Sequence, residues 1–158
     1  MEENKLITVF TPTYNRGYII EELYKSLQEQ VAYNFEWLVI DDGSTDNTEE
    51  LFKKWMLENN DFDIRYIKVE NGGKPRAINK ALQLAKGKYL FMVDSDDYIV
   101  NDATLKLETW IREIDDKDDI VAVGAARVYP NGEYIKGIEP DIDDNIGYLD
   151  ATNLERKN

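Results

Sequence analysis

The stretch KYLFMVDSDD, residues 88–97, decides the fold that we expect of this chain. Its apolar run, Tyr89 to Val93, is bounded by polar residues and is typical of a strand buried on both faces, as in a parallel sheet covered by helices. Three carboxylates, Asp94, Asp96 and Asp97, follow the run directly. Because ligands bind outside the carboxyl ends of the strands in open α/β sheets, this position predicts a binding site.

Asp94 and Asp96 form the candidate metal site. Residues i and i+2 of an extended chain point to the same side, so both carboxylates can face one point while Ser95 faces away. Oxygen ligands of this kind suit Mg²⁺ or Mn²⁺. The alternative is an acidic turn without a ligand, which is disfavoured because a buried strand rarely ends in carboxylates that lack a partner.

Composition limits the classes of protein and of site to which the chain can belong. Its 158 residues suffice for about one domain with a real core. The formal net charge of −13 argues against nucleic acid or an anionic membrane surface as a partner, since both are bound mainly through Lys and Arg. The chain contains no Cys and no His, which excludes disulfides, thiolate sites and imidazole ligands. Any metal must therefore be held by oxygen atoms.

The N-terminal residues give no sign of a targeting segment. Met1 to Lys5 lacks a basic stretch followed by a long apolar run, and no apolar stretch of the chain approaches about 18 residues. We therefore expect a cytoplasmic protein, with peripheral attachment at the inner face of the membrane as a further option. The sequence leaves the oligomeric state open, a homo-oligomer included.

Strand patterns alternate with helical patterns along the chain. Further strands are predicted at Leu6–Phe10, Phe35–Ile40, Ile64–Val69 and Ile120–Ala126, and helices from near Tyr18, Leu51, Pro75 and Asn101. The run Ile64–Val69 alternates apolar and polar residues, which indicates a strand near an edge. Alternating strands and helices imply right-handed crossovers and a three-layer α/β/α, Rossmann-like fold with a mainly parallel sheet.

Two shorter features complete this prediction. Asp46 is expected to cap the helix that follows it, with Glu49 reaching back in a capping-box arrangement. The segment Pro130–Glu133 between two β-rich pairs is typical of a hairpin turn.

Three other strand-end loops carry polar clusters: residues 12–16, 41–46 and 72–76. In a parallel sheet these ends lie on one edge, and together they suit a nucleotide diphosphate. Tyr14 offers an aromatic face to a base, Asp42 can accept from a base N–H, and Lys74 and Arg76 can offset phosphate charge. A cation is needed beside the carboxylates, because two like charges at about 4 Å repel by roughly 4 kcal/mol at an effective dielectric of about 20.

Each loop also has a simpler interpretation. The segment 42–46 can serve only as a turn with a helix cap, since Asp, Ser and Thr favour such positions. Tyr14 can be an ordinary half-buried loop aromatic, Gly72 and Gly73 a plain turn, and Lys74 and Arg76 solvated surface charges. The joint occurrence of the clusters at strand ends is what favours a binding site.

Three of these motifs resemble the signatures of glycosyltransferase family 2, the inverting enzymes with the GT-A fold: TPTYNR at 11–16, VIDDGSTD at 39–46 and FMVDSDD, with its Asp-x-Asp, at 91–97. The resemblance runs from about Leu6 to Ala126. It implies transfer of a sugar from a nucleotide-diphosphate sugar, usually a UDP-sugar, to a saccharide or lipid-linked acceptor in cell-surface polysaccharide or glycolipid synthesis.

The resemblance also implies roles for individual residues. Pro12, Tyr14 and Asp42 would surround the base, with Lys74 or Arg76 toward uracil or phosphate. Asp94 would meet ribose or metal, Asp96 the metal, Mn²⁺ or Mg²⁺, and Ser95 between them counts among the substrate-binding residues.

The family pattern is matched only in part. Members usually continue well past this length, and the later region supplies the acceptor site and the general base, for which no residue of this chain is assigned. The acidic residues at the end stand in no recognisable context: Asp141, Asp143, Asp144 and Asp150. We therefore expect a nucleotide-sugar-binding domain at residues 1–138, shortened at its C-terminal side, and a weakly structured tail or start of an acceptor region at 139–158.

Other functions remain open on the residues alone. A receiver-type phosphoacceptor domain would use Asp41, Asp42 and Asp94 as an acidic magnesium pocket, yet it needs a Lys after the fifth strand, where the chain has Arg127. A phosphatase with Asp94 as nucleophile and Asp96 as acid is a third possibility. A dinucleotide-binding oxidoreductase is weaker still, because no Gly-x-Gly-x-x-Gly follows the first strand.

Overall fold

The computed structural model describes residues 5–114, which form a four-stranded parallel sheet with helices between the strands. The strands are β1 (Ile7–Thr13), β2 (Phe35–Asp41), β3 (Asp63–Lys68) and β4 (Tyr89–Met92). The helices are α1 (Glu21–Gln28), α2 (Thr48–Trp55), α3 (Lys74–Leu84) and α4 (Ala103–Ile114). The strand order is β3-β2-β1-β4, and all three pairs are parallel.

Helices cover both faces of the sheet and make three layers. On one face, Trp37 of β2 packs within an aromatic cluster that includes Tyr24 of α1 and Phe52 and Trp55 of α2. On the other face, the side chains of Phe10, Leu38 and Ile40 pack against Ala77 and Ala81 of α3. The alanines allow α3 to lie close to the sheet. This arrangement confirms the predicted α/β/α architecture.

The expectation that β4 is buried on both faces is wrong. Its residues are only half-buried, and Met92 is 46% exposed. Within residues 5–114, β4 is four residues long and pairs only with β1, at the end of the sheet. The strand that is buried along its whole length is β2, because it lies between β1 and β3 and between two helical layers. β3 lies at the other end of the sheet formed by residues 5–114, in agreement with the edge position predicted for Ile64–Val69.

A buried carboxylate ties the C-terminal end of α3 to the sheet. Glu36, 1% exposed, accepts hydrogen bonds from Thr8 Oγ1 (2.7 Å), Arg65 Nη1 (2.8 Å) and the backbone N–H of Lys86 (2.7 Å). Burial alone would raise the pKa of Glu36, but the bonds from Arg65, Lys86 and Thr8 outweigh it and hold the pKa below its ordinary value. The ionised carboxylate is therefore the stable form in the fold.

Gly87 allows the chain to enter β4 next to β1. Its N–H donates to Thr8 Oγ1 at 2.9 Å. A Cβ at this position would clash with the backbone of Ile7 and Thr8, so only glycine fits without moving the strand.

Among residues 5–114, none of the helices has the length and apolar character needed to cross a bilayer.

Several predicted segments lie outside the described residues. These are the fifth strand at Ile120–Ala126, the hairpin at Pro130–Glu133 and the tail at 139–158. The domain expected at residues 1–138 is thus described over its first four strands.

Candidate active site

The carboxyl ends of the strands bring the polar loops to one edge of the sheet. Asp42 N–H donates to the carbonyl of Thr13 (2.9 Å), Val69 N–H to that of Asp41 (2.8 Å), and Val93 N–H to that of Phe10 (2.9 Å). In each bond, the N–H group of the residue at the end of one strand or just after it donates to the neighbouring strand. The clusters that the sequence placed at strand ends therefore lie side by side.

Asp42 is an anchor between the loop after β2 and the start of α3. It is 7% exposed, and its two carboxylate oxygens accept from the backbone N–H groups of Gly72 and Gly73, each at 2.8 Å. Asn71 Nδ2 donates to the carbonyl of Asp42 at 3.0 Å. The sequence assigned Asp42 to a ligand and did not anticipate this contact. Each carboxylate oxygen keeps a further lone pair, so the bonds fix its orientation without exhausting its capacity to accept.

The Asp94–Asp96 segment is part of a turn, whereas the sequence predicted an extended chain there. Asp94 is partly exposed and Asp96 exposed, whereas Ser95 between them is only 6% exposed. The backbone N–H of Asp97 donates to the carbonyl of Asp94 at 3.0 Å, which closes a tight turn. The two predicted metal ligands thus reach solvent and the serine turns inward.

Lys74, at the first position of α3, forms an ion pair with Asp94, with 2.6 Å between Nζ and Oδ1. The pair brings together two residues that the sequence assigned separately, one to phosphate and one to metal. Arg76 is exposed, and its side chain lies over Gly72, so closely that a Cβ there would clash with the guanidinium. Two cationic side chains therefore lie at the N-terminal end of α3.

Asp94 and Asp96 are the described residues that could contribute ligands to a metal ion. Within residues 5–114 there is no group of three or more Asp, Glu, His or Cys side chains arranged to hold a metal ion. Asp94 and Asp96 offer hard carboxylate oxygens at the edge where the other clusters meet. Mg²⁺ and Mn²⁺ commonly bind through one or two carboxylates with water and phosphate oxygens in the other positions. The donor set therefore fits such an ion when a phosphate is also present.

The end of β1 carries Pro12, and the loop after it carries Tyr14 and Asn15. β1 extends further than predicted, so Pro12 lies within the strand, beyond its last pair with β4 at Phe10 and Met92. Tyr14 is 48% exposed and offers a ring to solvent. Asn15 adopts a positive φ of 52°, in the left-handed region that few residues other than Gly and Asn enter readily.

Asn15 clamps this loop to the loop after β2. Its N–H donates to Ser44 Oγ (2.8 Å), and its Oδ1 accepts from the N–H of Thr45 (2.8 Å). The clamp sets the position of Tyr14 relative to Asp42. Sequence reasoning missed this role, although an Asn before Gly17 in turn chemistry is a signal for such a conformation.

Asp41 lies below the site and faces the α2 side of the sheet. It is fully buried and accepts from Ser44 N–H (2.8 Å) and from the hydroxyl of Tyr66. Burial and this bond to Asp41 raise the pKa of Tyr66, so the hydroxyl stays protonated and donates. Strand alternation could have separated Asp41 from Asp42, because adjacent residues point to opposite faces.

Asp46 bonds to the first residue of α2, but the N-cap position belongs to Asn47, which makes no side-chain capping bond, and the predicted capping box is wrong. Asp46 Oδ1 accepts from Thr48 N–H (3.0 Å), and Oδ2 accepts from Gly17 N–H (3.0 Å). Burial opposes ionisation, but the bonds from Thr48 and Gly17 lower the pKa of Asp46 overall. Glu49 instead pairs with Lys53 (2.6 Å) and Lys68 (2.9 Å), which lower its pKa to about 2. Two lysines outcompete a single backbone N–H for this carboxylate.

Several known proteins are similar to this chain in sequence. GlyG, a glycosyltransferase of Streptococcus pneumoniae serotype 4, is 35% identical over 122 residues, which are 77% of this chain and 39% of GlyG. The chain thus spans less than two thirds of that relative.

Solved structures extend the likeness to the fold. Staphylococcus aureus TarS in complex with UDP-GlcNAc has a TM-score of 0.63 at 34% identity, over 68% of this chain and 31% of that one. The mannosyltransferase PcManGT of Pyrobaculum calidifontis, in complex with GDP-Man and Mn²⁺, has a TM-score of 0.64 at 28% identity, over 76% of this chain and 34% of that one.

The family model described as glycosyl transferase family 2 matches residues 8–155, which is most of the chain and includes all four described strand ends. With the GT-A structures among its neighbours, the three-layer sheet is the GT-A fold that the motifs implied. This chain belongs to glycosyltransferase family 2.

Proposed function

We propose that this chain binds the donor of a sugar transfer, a UDP-sugar, for delivery to an acceptor in polysaccharide or glycolipid synthesis. The observation that carries the proposal is the Asp42-anchored turn beside the Lys74–Asp94 pair, on the edge of the sheet where all the family motifs meet. The names of relatives point the same way, since TarS is a poly(ribitol-phosphate) β-N-acetylglucosaminyltransferase and its structure holds UDP-GlcNAc.

The base is assigned to the loops after β1 and β2. Tyr14 has an exposed ring on which a pyrimidine can stack, and Pro12 precedes it at the end of β1. The remaining lone pairs of Asp42 can accept the N3–H of uracil, which cytosine lacks at that position. The clamp made by Asn15 holds together the two loops that carry Tyr14 and Asp42.

The phosphates are assigned to the start of α3 and to the turn after β4. Lys74 and Arg76 supply cationic donors to phosphate oxygens. Asp94 and Asp96 would hold Mn²⁺ or Mg²⁺, which supplies positive charge between the carboxylates and the diphosphate, and Ser95 completes this turn. Without such an ion the two carboxylates would repel the donor.

The transfer itself would be inverting. An acceptor hydroxyl forms a bond to the anomeric carbon, the bond to the diphosphate breaks, UDP carries away the electron pair, and a base takes the hydroxyl proton. No residue of this chain is assigned as that base. A saccharide or lipid-linked acceptor, a position at the inner face of the membrane and assembly as a homo-oligomer belong to the same proposal.

Calorimetric titration of UDP, UDP-GlcNAc, GDP and CDP, in Mn²⁺ and in chelator, tests the proposal. We expect uridine nucleotides to bind tightest and only with the metal. Asp96→Ala should remove the effect of the metal, whereas Asp61→Ala, an exposed aspartate before β3, should retain it. Equal UDP affinities in chelator and in Mn²⁺ would refute the metal bridge, and the absence of nucleotide binding would refute the donor site.

A further inference from the structure

We propose that Lys74 is the counter-cation of Asp94 until a divalent cation binds. The divalent cation displaces Lys74, whose ammonium group then moves to the donor diphosphate. The inference rests on the proposed function for its second half, the passage to phosphate. Its first half, the competition between Lys74 and the metal, concerns only residues that the structure describes.

The ion pair has the properties of an exchangeable contact. Lys74 Nζ lies 2.6 Å from Asp94 Oδ1, and the two side chains are 49% and 34% exposed. Ion pairs this open to water contribute little to stability, so the pair can be broken at small cost. The contact nevertheless neutralises the carboxylate that the metal would use.

The backbone around Lys74 is fixed, so the exchange requires only its side chain to move. Gly73, which precedes it, donates its N–H to Asp42, and Pro75 follows it in the first turn of α3. The four-carbon stem of Lys can swing its ammonium group from one acceptor to another without moving the helix. Arg76, over the neighbouring Gly72, marks the same end of the helix as cationic.

A divalent ion and the ammonium group cannot both remain on Asp94 without strong repulsion, because their like charges would lie within a few ångströms. Metal binding therefore releases Lys74. A diphosphate held by that metal offers the nearest new acceptor, and Lys binds phosphate as a point charge. Lys74 therefore has opposite effects on the two ligands. It weakens the binding of the metal alone and strengthens the binding of the nucleotide.

The test uses Lys74→Gln with Lys80→Gln as matched control, since Lys80 is an exposed lysine on the same helix. Mn²⁺ affinity without nucleotide is measured from the electron paramagnetic resonance signal of free Mn²⁺. We expect Lys74→Gln to bind Mn²⁺ about two- to fivefold tighter than the wild type, as loss of an exposed ion pair predicts. UDP affinity at saturating Mn²⁺, measured by calorimetry, should fall about tenfold or more. Lys80→Gln should change neither quantity, and Lys74→Arg should restore the Mn²⁺ affinity of the wild type.

The outcomes separate this inference from the proposed function. Unchanged, weaker or undetectable Mn²⁺ binding by Lys74→Gln overturns the exchange, even if UDP binding falls. Tighter Mn²⁺ binding with unchanged UDP affinity overturns the passage of Lys74 to phosphate. If the wild type binds no UDP, the donor site is refuted, while the Mn²⁺ measurement still decides whether Lys74 competes for Asp94.

Discussion

Two carboxylates at opposite ends of β2 show how a single residue can fix a segment far from it in sequence. Glu36 accepts the N–H of Lys86, just after α3, and Asp42 accepts the N–H groups of Gly72 and Gly73, just before α3. Both are buried, so each depends on its partners to satisfy its carboxylate oxygens. Their replacement is expected to affect different properties, stability for Glu36 and ligand binding for Asp42.

Glu36→Gln should lower the free energy of unfolding at pH 7 by about 1–3 kcal/mol, because charge-assisted bonds become neutral and one acceptor becomes a donor. The folded-state pKa of Glu36 is below its unfolded value. The stabilisation is therefore present above the unfolded pKa, about 4.3, and is lost as the pH falls through the folded pKa. Urea denaturation at pH 7 and pH 3 should show the gap between wild type and variant closing at low pH. Glu29→Gln, at an exposed position, is the control, and a gap independent of pH would contradict the assignment.

Asp42→Asn should weaken UDP binding and reduce the preference for UDP over CDP. Both carboxylate oxygens already accept backbone N–H groups, so the new amide N–H₂ must face a donor or turn away. Leaving a buried polar group unpaired costs roughly 1–3 kcal/mol. Competition calorimetry of the two nucleotides in Mn²⁺ measures the change. If the UDP/CDP ratio is unaltered, the base contact lies elsewhere.

At the scale of elements, α3 is attached to β2 at both ends. From Glu36 to Asp42 the strand covers roughly 20 Å, and the eleven residues of α3 span roughly 17 Å. The helix thus fits between the two carboxylates, with Ala77 and Ala81 in contact with the sheet between them. The two attachments fix where α3 begins, and with it the position of Lys74 relative to Asp94.

The Asn15 clamp gives a prediction about two loops. Asn15→Ala loses both the Oδ1 acceptor and the ease of adopting a positive φ, whereas Asn15→Gly loses only the acceptor. We expect the alanine variant to be less stable than the glycine variant by about 1 kcal/mol. Both should bind UDP more weakly, since Tyr14 is no longer fixed. Urea denaturation and calorimetry measure the two effects; equal stability of the variants would contradict the strain argument.

Local sequence patterns predict some features of the fold and not others. The strand periods and the loop clusters predicted the parallel sheet and its polar edge. Local pattern could not tell which strand is innermost, because the run Tyr89–Val93 is as apolar as Phe35–Ile40, yet β4 ends the described sheet. Hydrogen bonds between loops distant in sequence, such as those of Asn15 with Ser44 and Thr45, depend on tertiary packing and leave no periodic signal.

At the scale of the whole molecule, the 158-residue chain carries motifs of family 2, and the 122 residues that match GlyG cover 39% of that relative. Family membership decides against the receiver-type alternative, whose acidic pocket shares only the aspartates.

We expect this chain to bind donor and to transfer sugar slowly or not at all. It contains no His, and no carboxylate in residues 5–114 is assigned as the base, whose catalysis contributes about 10²–10⁴-fold. Release of UDP from several UDP-sugars in Mn²⁺ should be measured with and without saccharide and lipid-linked acceptors. Slow hydrolysis that acceptors do not accelerate is expected. Robust acceptor-dependent release would show that the chain supplies the base itself.

The aromatic cluster on the α1–α2 face gives the protein an intrinsic tryptophan fluorescence signal. Trp37 and Trp55, two of its three tryptophans, are buried there beside Phe52. Phe52 stacks on Tyr66, with 4.8 Å between ring centroids, and the Tyr66 hydroxyl meets Asp41, which holds the loop that carries Asp42. Indole emission should therefore be blue-shifted and should change if nucleotide binding moves that loop, which would permit a titration without a label.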